Sequence, residues 1–130
     1  MIKMLILLLM IFLHIVDDYY LQGILASMKQ RGWWEKNAPD RKYQYDYIIA
    51  LLMHAFSWTF MIMLPIAIML LLNPVAAAIP IFIMVFFINW GIHMAIDHLK
   101  ANVKILNLVQ DQIIHIIQIV LTWSLVLLIL

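Results

Sequence analysis

The chain has no cysteine among its 130 residues. Disulfides, iron–sulfur clusters and thiolate zinc sites are therefore excluded. Charged residues are also scarce, at 12% of the chain, whereas a soluble domain averages about 25%. The net charge is only +1, and lysine and arginine form no stripe of the kind that binds a nucleic-acid backbone. The sequence therefore predicts no nucleic-acid partner.

Apolar residues are abundant instead, at 67% of a chain long enough for one domain. A membrane-spanning helix needs about 20 mostly apolar residues, and four windows meet this requirement, at about 2–22, 47–72, 75–100 and 105–130. Only Asn73-Pro74 separates the second window from the third, which predicts a tight hairpin. We therefore expect an all-α polytopic membrane protein, with a single domain over 1–130 that forms an antiparallel bundle of four transmembrane helices.

One sizeable loop, 23–46, separates the first two windows. It mixes basic residues with Trp33, Trp34, Tyr43 and Tyr45. Aromatic rings with a polar edge settle at the lipid headgroups, so the composition is typical of an interfacial anchor. The alternative is a lid or substrate-docking element over a site beneath the loop.

The distribution of basic residues predicts an orientation. In an antiparallel bundle both termini lie on one side, where Lys3 is the only basic side chain. Seven basic residues lie on the other side: Lys29, Arg31, Lys36, Arg41, Lys42, Lys100 and Lys104. The positive-inside rule makes that side cytoplasmic. We expect a bacterial inner-membrane protein with both termini outside the cytoplasm.

Histidines occur at similar depths in the four predicted helices. His14, His54, His93 and His115 each lie seven or eight residues from the loop-side end of a helix. At a rise of ~1.5 Å per residue, each is roughly 10–12 Å below that end. Ionisable residues in hydrocarbon are costly and by default face the bundle interior and mark function. The sequence thus predicts a polar site in the cytoplasmic half.

Carboxylates accompany three of these histidines at helical spacing. His14 and Asp18, His93 and Asp97, and Asp111 and His115 are each four residues apart and so share a helix face. The predicted ligands of a divalent metal are His14, Asp18, His54, His93, Asp97, Asp111 and His115. Imidazole and carboxylate without thiolate suit Zn, with Mn or Fe as alternatives.

Seven candidate ligands could hold one ion or two. Some of the carboxylates could orient histidines rather than bind metal. Asp17 and His98 are further candidates, although Asp17 could be a solvated helix end and His98 lies about 140° around the helix from His93. This cluster has two other interpretations: a proton or ion pathway without metal, and polar packing with a purely structural role.

Several of these residues also carry a resemblance. "HIVDDYYLQ", an isolated His54, "HMAIDHLK" and "DQIIH" are similar, in order, to blocks of a family of small bacterial and phage integral membrane proteins. The resemblance implies a shared site and no particular reaction. The corresponding residues are His14, Asp18, Gln22, His54, His93, Asp97, Lys100, Asp111, Gln112 and His115. Asp17 and His98 fall outside the pattern.

The leading functional hypothesis is a membrane-embedded metal-dependent hydrolase of a lipid or amphiphile near the cytoplasmic leaflet. Asp18 or Asp111 would accept a proton, and Lys100 would hold an anionic headgroup. Gln22 and Gln112 would hydrogen-bond the substrate or the ligands. One alternative is a small transporter or channel for divalent cations or protons, in which a homo-oligomer could form the pore. Another is a di-iron oxidoreductase, since such sites occur in four-helix bundles.

Overall fold

The structure is a computed structural model that describes residues 1–128. Its α-helices, in chain order, are α1 (Ile2–Val16), α2 (Leu25–Met28), α3 (Arg31–Asn37), α4 (Asp46–Leu72), α5 (Ala78–His98) and α6 (Leu108–Leu127). Over the described residues the chain is all-helical, and four of its helices are long and apolar enough to cross a membrane. This much of the predicted fold is confirmed. Residues 129 and 130, at the end of the predicted fourth helix, lie outside the described residues.

Helices α1 and α5 each continue into a wider, π-helical turn, Asp17–Leu21 after α1 and Leu99–Val103 after α5. In the first turn, the Gln22 N–H donates to the Asp17 carbonyl five residues earlier, at 3.1 Å. Asp17 and Asp18 follow the buried His14 by three and four residues, so both lie near its face of the helix. Asp17 is accordingly 1% exposed, and the adjacent Asp18 side chain is 8% exposed. Such turns often occur at functional sites.

The bundle interior is apolar in one part and polar in another. The apolar core comes from all four long helices and consists of Ile6, Met10, Trp58, Ile62, Met63, Ile66, Val85, Ile119 and Val126. Many large apolar side chains instead lie on the outer surface, among them Leu8, Phe12, Phe60, Phe87 and Leu121. Exposed apolar surface on this scale is unusual for a soluble monomer and fits contact with lipid.

A buried polar cluster connects α5 to α6. The Asn89 Oδ1 accepts hydrogen bonds from Gln118 Nε2 at 2.8 Å and from the Thr122 hydroxyl at 3.1 Å. Gln118 also donates to the Asn89 carbonyl at 2.9 Å. Interhelical hydrogen bonds of this kind are worth roughly 0.6–2 kcal/mol in a membrane. This cluster therefore joins α5 to α6 within the interior of the bundle.

The segment between α1 and α4 folds across one end of the bundle. Asn102, in the second π-turn, donates from Nδ2 to the Lys29 carbonyl at 3.0 Å and accepts from the Arg31 N–H at 2.7 Å. The Trp34 indole N–H donates to the Met28 carbonyl at 2.6 Å, which closes α3 onto α2. The loop that the sequence assigns to an anchor or a lid is thus hydrogen-bonded to the end of α5, and we call residues 23–46 the cap segment.

We expect Asn102→Ala to loosen the cap segment. The variant removes the two hydrogen bonds that Asn102 makes to the segment. Amide exchange at Arg31 should therefore accelerate roughly fivefold or more, since a hydrogen bond contributes about 1 kcal/mol. Hydrogen–deuterium exchange in detergent measures this. Asn37→Ala is the control, because Asn37 donates only to the Trp33 carbonyl within α3. Equal exchange in the two variants would contradict this account of how the segment is held.

Candidate metal centre

Histidine and aspartate side chains from all four long helices meet inside the bundle. His14, His54, His93 and His115 are each 0–1% exposed. Their rings are close together, with centroids 4.2 Å apart for His93 and His115 and 5.1 Å apart for His54 and His93. His14 lies 5.9 Å from His115 by the same measure. The four histidines expected at one depth therefore form one cluster.

The sequence near α6 explains how that helix contributes. Asn107 caps the helix, since its Oδ1 accepts from the Gln110 N–H at 2.9 Å while the Gln110 side chain accepts from the Asn107 N–H at 3.0 Å. This capping box fixes where the helix begins. Asp111 and His115 follow one and two turns later on the inner face and are both 0% exposed.

The ring nitrogen His54 Nε2 is surrounded by three potential metal ligands. It lies 3.2 Å from His93 Nε2, 3.2 Å from Asp97 Oδ2 and 3.4 Å from Asp18 Oδ1. Zinc ligands at about 2.0–2.1 Å in tetrahedral geometry are roughly 3.3 Å from one another. The separations around His54 therefore match those of ligand atoms that share one ion.

A second group of ligand atoms adjoins the first. His115 Nε2 lies 3.3 Å from Asp111 Oδ1 and 3.6 Å from Asp97 Oδ1. Asp97 thus directs one oxygen toward His54 and the other toward His115. Two sets of three residues have ligand atoms within 4.8 Å of one another, namely Asp18, His54 and His93, and His93, Asp97 and His115. The cluster could accordingly hold an ion on either side of Asp97.

Several buried atoms in the cluster lack hydrogen-bond partners. Among the described residues these include Asp18 Oδ1, Asp111 Oδ1 and His115 Nε2. An unpaired buried polar group costs about 1–3 kcal/mol, and more when it is charged. A cation that accepted these lone pairs would remove that cost, so the donor set fits a divalent metal.

His14 is held differently from the other three histidines. The Trp58 indole N–H donates to His14 Nδ1 at 2.7 Å, so Nδ1 is the acceptor nitrogen and Nε2 carries the proton. His14 Nε2 then donates to Gln112 Oε1 at 3.1 Å. Because both ring nitrogens are engaged, His14 is a hydrogen-bonded neighbour of the ligand atoms in this arrangement, although the sequence predicts it as a ligand.

Trp58 forms one wall of the cluster and is fully buried. Its ring stacks on His93 at 4.0 Å between centroids, with 17° between the planes. Composition does not distinguish Trp58 from the other tryptophans, although its position four residues after His54 places it on the same helix face. The indole thus shields one side of the site and orients two histidines.

Asp17 belongs to the interior as well. Its Oδ2 lies 3.7 Å from His54 Nδ1, and its Oδ1 accepts from the Ser57 hydroxyl at 2.5 Å. A carboxylate behind a ligand histidine commonly orients the ring. From sequence, Asp17 is either a further ligand candidate or a solvated helix end. The structure buries it, three residues after His14 and near the same helix face.

Both glutamines that the sequence assigns to substrate or ligand binding lie near the cluster. Gln112 Nε2 donates to Asp18 Oδ2 and to Asp111 Oδ2, each at 3.1 Å. Gln112 therefore links the two carboxylates predicted to accept protons. Gln22 donates to the Asp18 carbonyl at 2.8 Å, so it supports the turn that carries Asp18.

Two lysines form ion pairs with carboxylates of the cluster. Lys29, in the cap segment, lies 2.6 Å from Asp97 Oδ2, and Lys100 lies 2.5 Å from Asp111 Oδ2. The sequence assigned Lys100 to the mouth of the site but missed Lys29, because nothing local shows that a loop lysine folds inward. His98 lies outside the cluster and stacks on Tyr47, with centroids 6.1 Å apart.

A cavity of about 420 Å³ opens onto the cluster beneath the cap segment. Asp18 and Asp97 line its inner part. Its other polar lining residues are Gln22, Lys29, Gln30, Lys100, Lys104 and Gln112. Three of these six side chains are lysines, so the approach to the cluster is basic.

No family model matches the chain, and no curated protein or solved structure is similar enough to count as a match. The resemblance to small bacterial and phage membrane proteins therefore stays a prediction. The function has to be inferred from the site itself.

We expect Trp58→Phe to destabilise the protein by about 1–3 kcal/mol, because the buried His14 Nδ1 loses its donor. Reversible unfolding in detergent by titration with dodecyl sulfate measures the loss. Trp33→Phe, in the cap segment, is the matched control and should change stability by less than about 0.5 kcal/mol. If both variants unfold at the wild-type midpoint, the hydrogen bond from Trp58 does not orient His14.

Proposed function

We propose that this chain is an integral membrane protein and a metal-dependent hydrolase that acts on a lipid or amphiphile. Four helices of sufficient length and apolarity support membrane insertion. The excess of basic residues on the loop side supports an antiparallel bundle with both termini outside the cytoplasm. The site would then open toward the cytoplasmic leaflet, with its histidines roughly 10–12 Å below the loop-side ends of the helices.

The observation that carries the proposal is that the basic cavity and an apolar groove adjoin and share lining residues. A groove of about 450 Å³ runs along α6 and is lined by Val109, Ile113, Ile116 and Ile117. It shares Tyr19, Leu108 and Gln112 with the cavity that opens onto the cluster. An amphiphile could place its polar group in the cavity and its hydrocarbon chain in the groove. A soluble metabolite would make no use of the groove.

The cluster provides the groups that hydrolysis needs. We propose one or two divalent ions, with Zn preferred and Mn or Fe as alternatives, held among Asp18, His54, His93, Asp97, Asp111 and His115. An ion in such a site activates a bound water and polarises a phosphoryl or acyl oxygen. The proton acceptor would be a carboxylate that the ion does not use, either Asp18, which lines the cavity, or Asp111, which is paired with Lys100.

The transport alternative has less support from the geometry. A pathway across the bundle would need polar groups beyond the cluster, toward the termini. Among the described residues, the buried polar side chains in that direction include Asn89, Gln118 and Thr122, which are hydrogen-bonded to one another. The apolar core residues Ile6, Ile62, Ile66 and Val126 lie in the same interior.

We expect purified protein in detergent to release 4-nitrophenolate from an amphiphilic reporter only when a divalent ion is bound. The reporters are hexadecyl 4-nitrophenyl phosphate and 4-nitrophenyl palmitate, each compared with its methyl or acetyl counterpart. The long-chain form should be preferred at least about tenfold, since burial of hydrocarbon contributes to binding. His93→Ala and Asp97→Asn should lose at least about 100-fold in rate and should lose bound metal.

His98→Ala is the matched control, because this histidine lies outside the cluster, and it should retain both metal and rate. Bound metal with no turnover of any reporter, together with Mn²⁺ flux into proteoliposomes, would contradict the hydrolase and favour transport. Equal metal content in wild type and His93→Ala would contradict the metal centre itself.

A further inference from the structure

Lys29 and Lys100 approach the cluster from the cavity side, on two different elements. Lys29 follows α2 in the cap segment, and Lys100 lies in the second π-turn. Their side chains are 10% and 29% exposed, so both lie largely inside the protein. Each ammonium contacts a single carboxylate oxygen, and each of those oxygens belongs to a proposed ligand.

Each ammonium group and a divalent ion compete for the same carboxylate. Lys100 contacts Asp111 Oδ2, whereas the oxygen of Asp111 nearest to His115 Nε2 is Oδ1, at 3.3 Å. Lys29 Nζ contacts Asp97 Oδ2, the oxygen that also lies 3.2 Å from His54 Nε2. An ion bound there would take the oxygen that the lysine now contacts and would repel its positive charge. Lysine has a flexible four-carbon stem with a compact charge, so it can change partner without backbone movement.

Lysine side chains displaced from the carboxylates would extend into the cavity. Lys29, Lys100 and Lys104 all line it, and Gln22 and Gln30 add donors to its wall. With an ion on the carboxylates, three ammonium groups would face the cavity without an anion. Such a cavity fits a phosphate-type oxyanion, for which lysine is a common point-charge partner.

We propose that Lys29 and Lys100 exchange partners when metal binds, from Asp97 and Asp111 to a phosphate-type anion in the cavity. Without a divalent ion, the two lysines neutralise the buried carboxylates. With the ion, they bind the anionic group of the substrate next to the metal. Metal and anion therefore bind cooperatively, and each tightens the other by the same factor. The inference rests on the metal centre of the proposed function and not on hydrolysis.

The test measures Mn²⁺ affinity in a neutral detergent, with free Mn²⁺ read by electron paramagnetic resonance. In wild type, inorganic phosphate should tighten Mn²⁺ binding at least about fivefold, the lower end of typical coupling between sites. Dihexanoyl phosphatidic acid is the parallel probe. If it acts at lower concentration than phosphate the anion is a lipid headgroup, and if phosphate acts at least as well the anion is free phosphate.

The lysine variants should raise the Mn²⁺ affinity measured without anion and reduce the further tightening by phosphate. Lys29→Met and Lys100→Met should each bind Mn²⁺ about tenfold more tightly than wild type without anion, because the competing ammonium is gone. Each should also lose most of the tightening by phosphate. Lys104→Met should leave Mn²⁺ affinity without anion unchanged and weaken only the phosphate effect. Lys42→Met, which removes an exposed lysine paired with Asp40, should change neither.

Weaker Mn²⁺ binding in Lys29→Met and Lys100→Met would mean that the lysines position the ligands, and the exchange would be wrong. If neither anion changes the Mn²⁺ affinity of wild type, the inference is overturned while the metal centre stays intact. Wild type that binds neither Mn²⁺ nor Zn²⁺ would overturn both. Lys100→Met keeps the test decisive if Lys29→Met does not fold, since Lys100 is the more exposed lysine of the pair.

Discussion

Buried charge is the constraint on which the rest of this structure depends. Asp97, at 2% exposed, contacts Lys29 and lies within 4 Å of three histidines. A charge that leaves water must be paired and hydrogen-bonded, because its desolvation costs several kcal/mol. The elements around the cluster meet this need. The π-turn carries Asp17 beside His54, the capping box places Asp111 and His115, and the cap segment delivers Lys29. An ion would compensate the carboxylates still more completely.

The cost of burying charge also bears on where polar residues lie relative to the outer surface of the bundle. The bundle is polar within one part of its interior and apolar on its outer surface, which is the arrangement expected where hydrocarbon surrounds the helices. The basic cavity and the groove along α6 share Tyr19, Leu108 and Gln112. In the proposed function, an amphiphile would lie across both, with its polar group among the lysines. Gln112 lines both the cavity and the groove and donates a hydrogen bond to Asp18. It therefore lies between the proposed substrate site and the proposed ligands.

The sequence predicts the four helices and the convergence of their histidines better than it predicts the contacts of individual side chains. Four apolar windows and the matched depths of the histidines depend only on helix length and rise, so the four helices and the convergence of His54, His93 and His115 could be anticipated. The inward Lys29 could not, because it depends on how Asn102 holds the cap segment. The engagement of His14 by Trp58 also needed three-dimensional packing, since a ligand histidine and a hydrogen-bonded histidine have the same helical spacing. Asp17 was ambiguous because it lies three residues after His14, near the same helix face, but also close to the end of the helix.

The most direct test of the metal centre is X-ray absorption at the zinc edge on zinc-loaded protein in detergent. The account predicts a first shell of nitrogen and oxygen at about 2.0–2.1 Å, without sulfur. Scattering from at least two imidazole rings should appear and should weaken in His115→Ala. A first shell of oxygen alone, with no imidazole scattering and no change in His115→Ala, would contradict the proposal that this cluster holds the ion.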